Sequence, residues 1–255
     1  MSNKKIILIL MYFCFYLSSC VYFNTFYNVK TSFDKANEII NNDYSLNYSN
    51  NQDISNIAKK LLKESIASGN IVLTKYSDSE YVDDAIYYIG RSYFSLGEFY
   101  KSKKYFNQLI QDHPDSKYQT ESRLWLEYCE LKLDLLDLVL KDISAIEKAM
   151  KYSEKTDKNS FFLLHNIKGD FFVKTENLDE AFIEFEKALT FTNSKSKKIN
   201  MYSKLVYISE AEHEFEKAAE YLEKIIVSSS NSNTRVESFR KWIIVKKFNK
   251  KYDYI

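Results

Sequence analysis

One spacing recurs along this chain and limits what it can fold into. Gly90 is followed twelve residues later by Ser102, Gly169 by Ala181, and Val206 by Ala218. Around each pair, aromatic and aliphatic residues fall every three or four positions, the period of helices that bury one face. The clearest unit is DDAIYYIGRSYFSLGEFYKSKKYFNQLIQDHPDS, Asp83 to Ser116. A unit of this length cannot bury its apolar faces alone, so copies are expected to stack. With one proline and four glycines in 255 residues, turn-rich β architectures are not expected.

Within Asp83–Ser116, Ile86, Ile89-Gly90, Tyr93, Ser102, Phe106 and Pro114 occupy the slots of the tetratricopeptide repeat (TPR), which this unit resembles. Glycine at 90 lets a second helix cross closely, small Ser102 sits at the crossing, Phe106 fills the space beside it, and Gly97 opens the turn. A second copy, Phe162 to Asn193, repeats the pattern with Gly169, Phe172, Asn177, Ala181, Phe185 and Ala188. A third is weaker, with Tyr202, Leu205, Val206, Phe215, Ala218, Leu222 and Ile225. Lys117 to Lys151 reads as a drifted helical pair. One face carries Leu124, Trp125, Tyr128, Leu131 and Leu135, the other Leu138, Ile143, Ile146 and Met150. An extended helix or loop is expected near Ser153–Ser160. The expected fold is therefore an all-α TPR solenoid of stacked antiparallel helix hairpins, preceded by a lipoprotein signal peptide.

That peptide is read from the first twenty residues. Lys4 and Lys5 precede an unbroken apolar run, Ile6 to Leu17, too short to span a bilayer but suited to a signal-peptide core. Leu17-Ser18-Ser19-Cys20 resembles the lipobox of bacterial lipoproteins, which implies cleavage before Cys20 and acylation of that residue. Val21 in place of aspartate implies, by the same resemblance, export to the periplasmic face of the outer membrane. Of three cysteines, Cys14 falls in the removed core and Cys20 carries lipid, so Cys129 has no partner for an intramolecular disulfide. The expected organisation is signal peptide 1–19, lipidated helix and polar linker 20–52, helical repeats 53–230, and a C-terminal capping helix 231–255.

Tyr76-Ser77-Asp78-Ser79-Glu80-Tyr81 echoes His113-Pro114-Asp115-Ser116-Lys117-Tyr118. Each closes one hairpin and opens the next, with Ser and Asp side chains available to cap the following helix. Asp53 to Lys75 is the long helix before the first echo. Behind the lipid cysteine, Phe26, Val29, Phe33 and Ala36 have the spacing of a helix that docks on the stack. A lipid cysteine, then YFNTFYN, then YSDSEYVDDAIYYIG, resembles the BamD-like TPR lipoproteins of outer-membrane barrel assembly. At the far end, Asn233–Lys250 is an amphipathic helix with Val236, Phe239, Trp242, Ile243 and Phe248 expected inward. Arg235, Arg240, Lys241, Lys246, Lys247, Lys250 and Lys251 crowd the rest. Its two readings are a solenoid cap and a basic face for a partner or anionic lipid.

No catalytic constellation is visible. His113, His165 and His213 stand apart from any ligand cluster, Cys129 sits one helical turn from Trp125 on an apolar face, and Gly-rich phosphate loops, GxSxG and HExxH are absent. The chain is not expected to be an enzyme or to hold a cofactor or metal. With charges nearly balanced at a formal net +1, no nucleic-acid partner is expected. The TPR resemblance implies a binding groove lined by the first helices, with Tyr87, Arg91, Phe94, Asn166, Asp170, Val173, Ser203 and Tyr207 as its residues. The implied occupant is a protein partner or extended peptide, with Arg91 pairing a carboxylate. Two functions fit: a scaffold in outer-membrane protein assembly that holds a barrel-assembly translocase or client, or an adaptor for cell-wall and other envelope enzymes.

Overall fold

The computed structural model describes residues 24–41, 54–153 and 157–252, the side chains of 249–252 excepted. Cys20 and the signal sequence, the linker 42–53 and the side chains of Lys250 and Lys251 lie outside the described residues. Every regular element among them is an α-helix: α1 (24–41), α2 (Asn56–Lys75), α3 (Val82–Ser95), α4 (Phe99–Asp112), α5 (Gln119–Lys132), α6 (Val139–Lys151), α7 (Lys158–Lys174), α8 (Leu178–Thr190), α9 (Lys195–Ala211), α10 (Phe215–Ser228) and α11 (Ser232–Tyr252). The fold class is all-α, of the TPR solenoid type. None of the described helices is long and apolar enough to cross a membrane.

Two compact units divide the chain, one from Met1–Asn37 with Asn56–Cys129, the other from Glu38–Ser55 with Glu130–Ile255. In the first, α1 is docked as its spacing predicts: Phe26, Val29, Phe33 and Ala36 are all buried. Ser65 Oγ donates to the Val29 carbonyl (2.8 Å). Phe26 stacks on Tyr81, and the echoed Tyr118 stacks on Tyr87 at 4.0 Å. The two echoes thus do the same work, each placing a tyrosine against an aromatic ring. Their serines do not cap helices. Ser79 and Ser116 accept from the N–H of Tyr81 and Tyr118 inside the turn (3.2 Å each), and α3 begins without a side-chain cap. Gln119 closes the preceding helix instead, donating from Nε2 to the carbonyls of Leu109, Ile110 and His113 at its C-terminal end.

The twelve-residue step is a helix crossing. Ser102 Oγ donates to the Gly90 carbonyl at 2.8 Å, and a Cβ on Gly90 would lie 2.9 Å from the ring of buried Phe106. At Gly169 the crossing is tighter, with Phe185 2.3 Å from the same hypothetical Cβ. In the second unit Phe185, Ala181, Leu205, Val206, Ala218 and Leu222 belong to one continuous core. Each connection α3–α4, α5–α6, α7–α8 and α9–α10 turns on one left-handed residue: Gly97, Asp134, Glu176 or His213. The residue after it donates to a carbonyl five positions back: Tyr93, Glu130, Phe172 or Ser209. This is a helix C-terminal motif that favours glycine, and only the first connection has one.

Two expectations about faces need correction. Leu135 and Leu138 are 47 % and 56 % exposed. They fall in the α5–α6 connection, where the left-handed turn at Asp134 breaks the helical phase. In α11 the inward face is not Val236, Phe239, Ile243 and Phe248, all of which are exposed. Thr234, Ser238 and Val245 are buried in their place, with Trp242 half-buried. Small side chains on that face let α11 lie close against α10.

Candidate functional site

In the first unit, α3 and α5 carry Arg91 and Trp125. The Arg91 guanidinium lies over the Trp125 ring, 4.0 Å from its centroid, with Phe33 and Tyr87 at 5.2 and 5.7 Å. Planar stacking of this kind fixes the guanidinium while leaving its N–H edge free to donate. Arg91 Nη1 donates to the Tyr87 hydroxyl at 2.9 Å, and Tyr87 donates in turn to the carboxylate of Glu121. Tyr87 is buried, so it positions the arginine from beneath. Phe94 continues the surface, packing edge-on against Trp125 and tilted against Tyr128, each at 4.8 Å. Arg91 and Phe94 are half-buried.

Arg91 Nε and Trp125 Nε1 are buried donors without a hydrogen-bond partner among the described residues. Unsatisfied buried donors cost about 1–3 kcal/mol each. Both atoms are closed off from the surface, so what an incoming partner meets is the accessible part of half-buried Arg91 beside Phe94. A surface depression of about 500 Å³ lies along α2 by Lys59, Lys60 and Lys63 and contains none of these groups.

The second unit is built differently. Lys204, on α9, reaches Asp170 (2.5 Å) and Asn166 (2.7 Å) on α7, and all three are buried. Burial pulls the ammonium down from its ordinary range, while the Asp170 charge opposes that shift. Asn166 and Asp170 are therefore engaged in holding α9 against α7. Ser203 is buried as well, its Oγ donating to the Ile199 carbonyl at 3.0 Å. Of the expected groove residues here, Val173 and Tyr207 remain half-exposed. The TPR alignment placed Tyr87, Asn166, Asp170 and Ser203 on a binding surface, but these side chains lie under it.

A neighbouring network was not anticipated. His165 Nδ1 lies 2.7 Å from Glu184 Oε2. Lys168 and Lys187 reach the same carboxylate at 3.3 and 2.8 Å, and Lys168 also meets Glu147. Burial alone pushes the Glu184 carboxyl up. Hydrogen bonds from His165 and Lys187, with the Lys168 charge, outweigh it and hold the group at about 2 against an ordinary 4.5. A carboxyl depressed on folding adds stability above its unfolded value and loses it as pH falls through the folded one. Stability of the second unit is therefore expected to fall by on the order of 2 kcal/mol between pH 5 and pH 2 through this group. Acid titration followed by circular dichroism checks this: Glu184→Gln starts less stable at neutral pH and shows a shallower acid slope.

The signal for these contacts was a fixed separation. Asp84–Tyr118, Tyr87–Glu121 and Asp170–Lys204 are each 34 residues apart, one repeat length, so complementary polar residues at that offset mark contacts between successive hairpins. Among the described residues no group of three or more His, Cys, Asp or Glu is placed to hold a metal ion. Cys129 is buried, its thiol 3.3 Å from Ser102 Oγ.

Residues 84–116 match the family model for the tetratricopeptide repeat. Among solved structures the chain is similar to MamA 41-end from Desulfovibrio magneticus RS-1, at 16 % identity over 77 % of this chain and 92 % of that one, with a TM-score of 0.40. It is also similar to a MamA RS-1 ArsTM double mutant, at 15 % identity over 79 % and 94 %, with a TM-score of 0.40. No curated protein sequence matches.

Proposed function

We propose that this chain is a lipid-anchored periplasmic scaffold that grips a partner protein through Arg91 and the aromatic surface beside it. The observation that carries the reading is the half-exposed Arg91, its guanidinium fixed by stacking on Trp125, next to half-exposed Phe94. Together they suit a carboxylate, from an acidic side chain or a chain terminus, followed by an apolar residue. The tetratricopeptide repeat at 84–116 supports a protein-interaction scaffold. On the second unit, Val173 and Tyr207 are the accessible positions.

Two sequence features support a place at the outer membrane. The Leu17–Cys20 box and Val21 fit a lipoprotein sorted there, and YFNTFYN with YSDSEYVDDAIYYIG fits the BamD-like lipoproteins. The reading is thus a scaffold in outer-membrane protein assembly, and the competing one is an adaptor for cell-wall enzymes. Affinity purification of the full-length chain from detergent-solubilised membranes separates them. A barrel-assembly translocase is expected among the stoichiometric partners and is expected to be lost with Arg91→Glu. Recovery of peptidoglycan enzymes in its place supports the adaptor. If the partner set is indifferent to Arg91→Glu, the site assignment fails under either reading.

A further inference from the structure

The exposed side of α11 has an order that a solenoid cap does not need. Val236, Phe239 and Ile243 are spaced three and four residues apart and so form one ridge along the helix. They are 49 %, 51 % and 37 % exposed. The ridge lies opposite the buried Thr234, Ser238 and Val245. By helical position Arg235 and Lys246 flank it on one side, Arg240 and Lys247 on the other. Glu237 is the one acidic residue of the helix. Lys241 and Lys246 are paired, with Glu210 at 2.8 Å and Glu216 at 2.6 Å. Arg235, Arg240 and Lys247 are exposed and make no ion pair among the described residues.

We propose that α11 is a membrane-surface helix whose outward ridge enters the interface of an anionic phospholipid bilayer. An apolar stripe with cations along both edges lets the apolar side chains sink below the headgroups while the long basic stems reach back to the phosphates. Charge complementarity selects an anionic surface over a neutral one. The ridge stands out from the helix as a convex line of side chains, and a depression of about 60 Å³ at Thr234 lies on the opposite, buried side. A convex ridge suits a deformable surface, whereas a protein helix docking here would need a groove to lie in. Trp242 stacks on Phe239 at the shoulder of the ridge, where an indole belongs in an interfacial segment.

The test uses the full-length chain bound to vesicles carrying brominated acyl chains. The readout is the tryptophan quenching contributed by Trp242, taken as the difference between the parent and Trp242→Phe. It reports the position of α11 however the chain is otherwise anchored. Quenching is expected in vesicles of equal parts phosphatidylcholine and phosphatidylglycerol and is expected to be much weaker in phosphatidylcholine alone. The triple variant Arg235→Glu, Arg240→Glu, Lys247→Glu should fall to the neutral-vesicle level. Its substitutions are all exposed, so an unchanged far-UV circular dichroism spectrum is expected and shows that the fold is intact. Equal quenching in both vesicles, or a triple variant that quenches like the parent, overturns the proposal. So does absent quenching with loss of a co-purifying protein in the triple variant, which would make α11 a protein-docking surface.

Discussion

Asp170→Ala should be the most damaging single substitution in the second unit, lowering stability by about 3–5 kcal/mol. Lys204 is buried, and its ammonium donates to Asp170 and Asn166. Removing the carboxylate takes away the opposite charge that compensates a buried ammonium, and much of the cost is the desolvation of that cation. A double replacement, Asp170→Leu with Lys204→Met, removes both charges and keeps the volume close. It is expected to lie within about 1–2 kcal/mol of the parent. Urea unfolding monitored by circular dichroism distinguishes the three proteins. If Asp170→Ala unfolds with the same midpoint and slope as the parent, the pair is not holding α9 to α7.

The second large effect is expected at the α7–α8 crossing. A methyl at position 169 would sit 2.3, 2.5 and 2.8 Å from three atoms of the Phe185 ring, and that ring is fully buried. Alanine gains about 1 kcal/mol of helix propensity over glycine, but overpacking of this severity costs more, so Gly169→Ala should lose about 2 kcal/mol net. The equivalent Gly90→Ala meets Phe106 at 2.9 Å, a gap that small shifts can relieve, and should cost far less. The contrast is the informative result. Adding Phe185→Leu to Gly169→Ala should restore part of the loss, a coupling that thermal unfolding of the four combinations measures directly. Strict additivity would mean that the two side chains do not compete for the same space.

Much of the architecture was legible because small residues at helix crossings are sterically required. Gly90 with Ser102 and Gly169 with Ala181 mark crossings by the absence of bulk, and a side chain at position 90 or 169 would press on Phe106 or Phe185. The docking of α1 was legible for a related reason: its apolar residues form a single stripe. In α11 the apolar residues surround the helix, so periodicity selects no face. The rule that the largest go inward then misplaced Phe239 and Ile243, because close packing against α10 demanded Thr234 and Ser238. The candidate site was legible only in part. Arg91 and Phe94 keep accessible surface, but Asn166 and Asp170 do not, because Lys204 from the next hairpin closes over them. That closure depends on a contact one repeat away, and the alignment of a single repeat contains no trace of it. The Glu184 cluster was hidden similarly, since each of its members reads as an ordinary surface charge until α6, α7 and α8 pack.

The central claim is that a partner protein is held against Arg91 and its aromatic neighbours. Its most direct test places a benzophenone side chain at position 94 in the full-length protein and irradiates intact membranes. The expected result is one dominant adduct of defined mass that disappears when Arg91→Glu is added to the same chain. An adduct that persists unchanged with Arg91→Glu, or none in folded and correctly processed protein, would contradict the account.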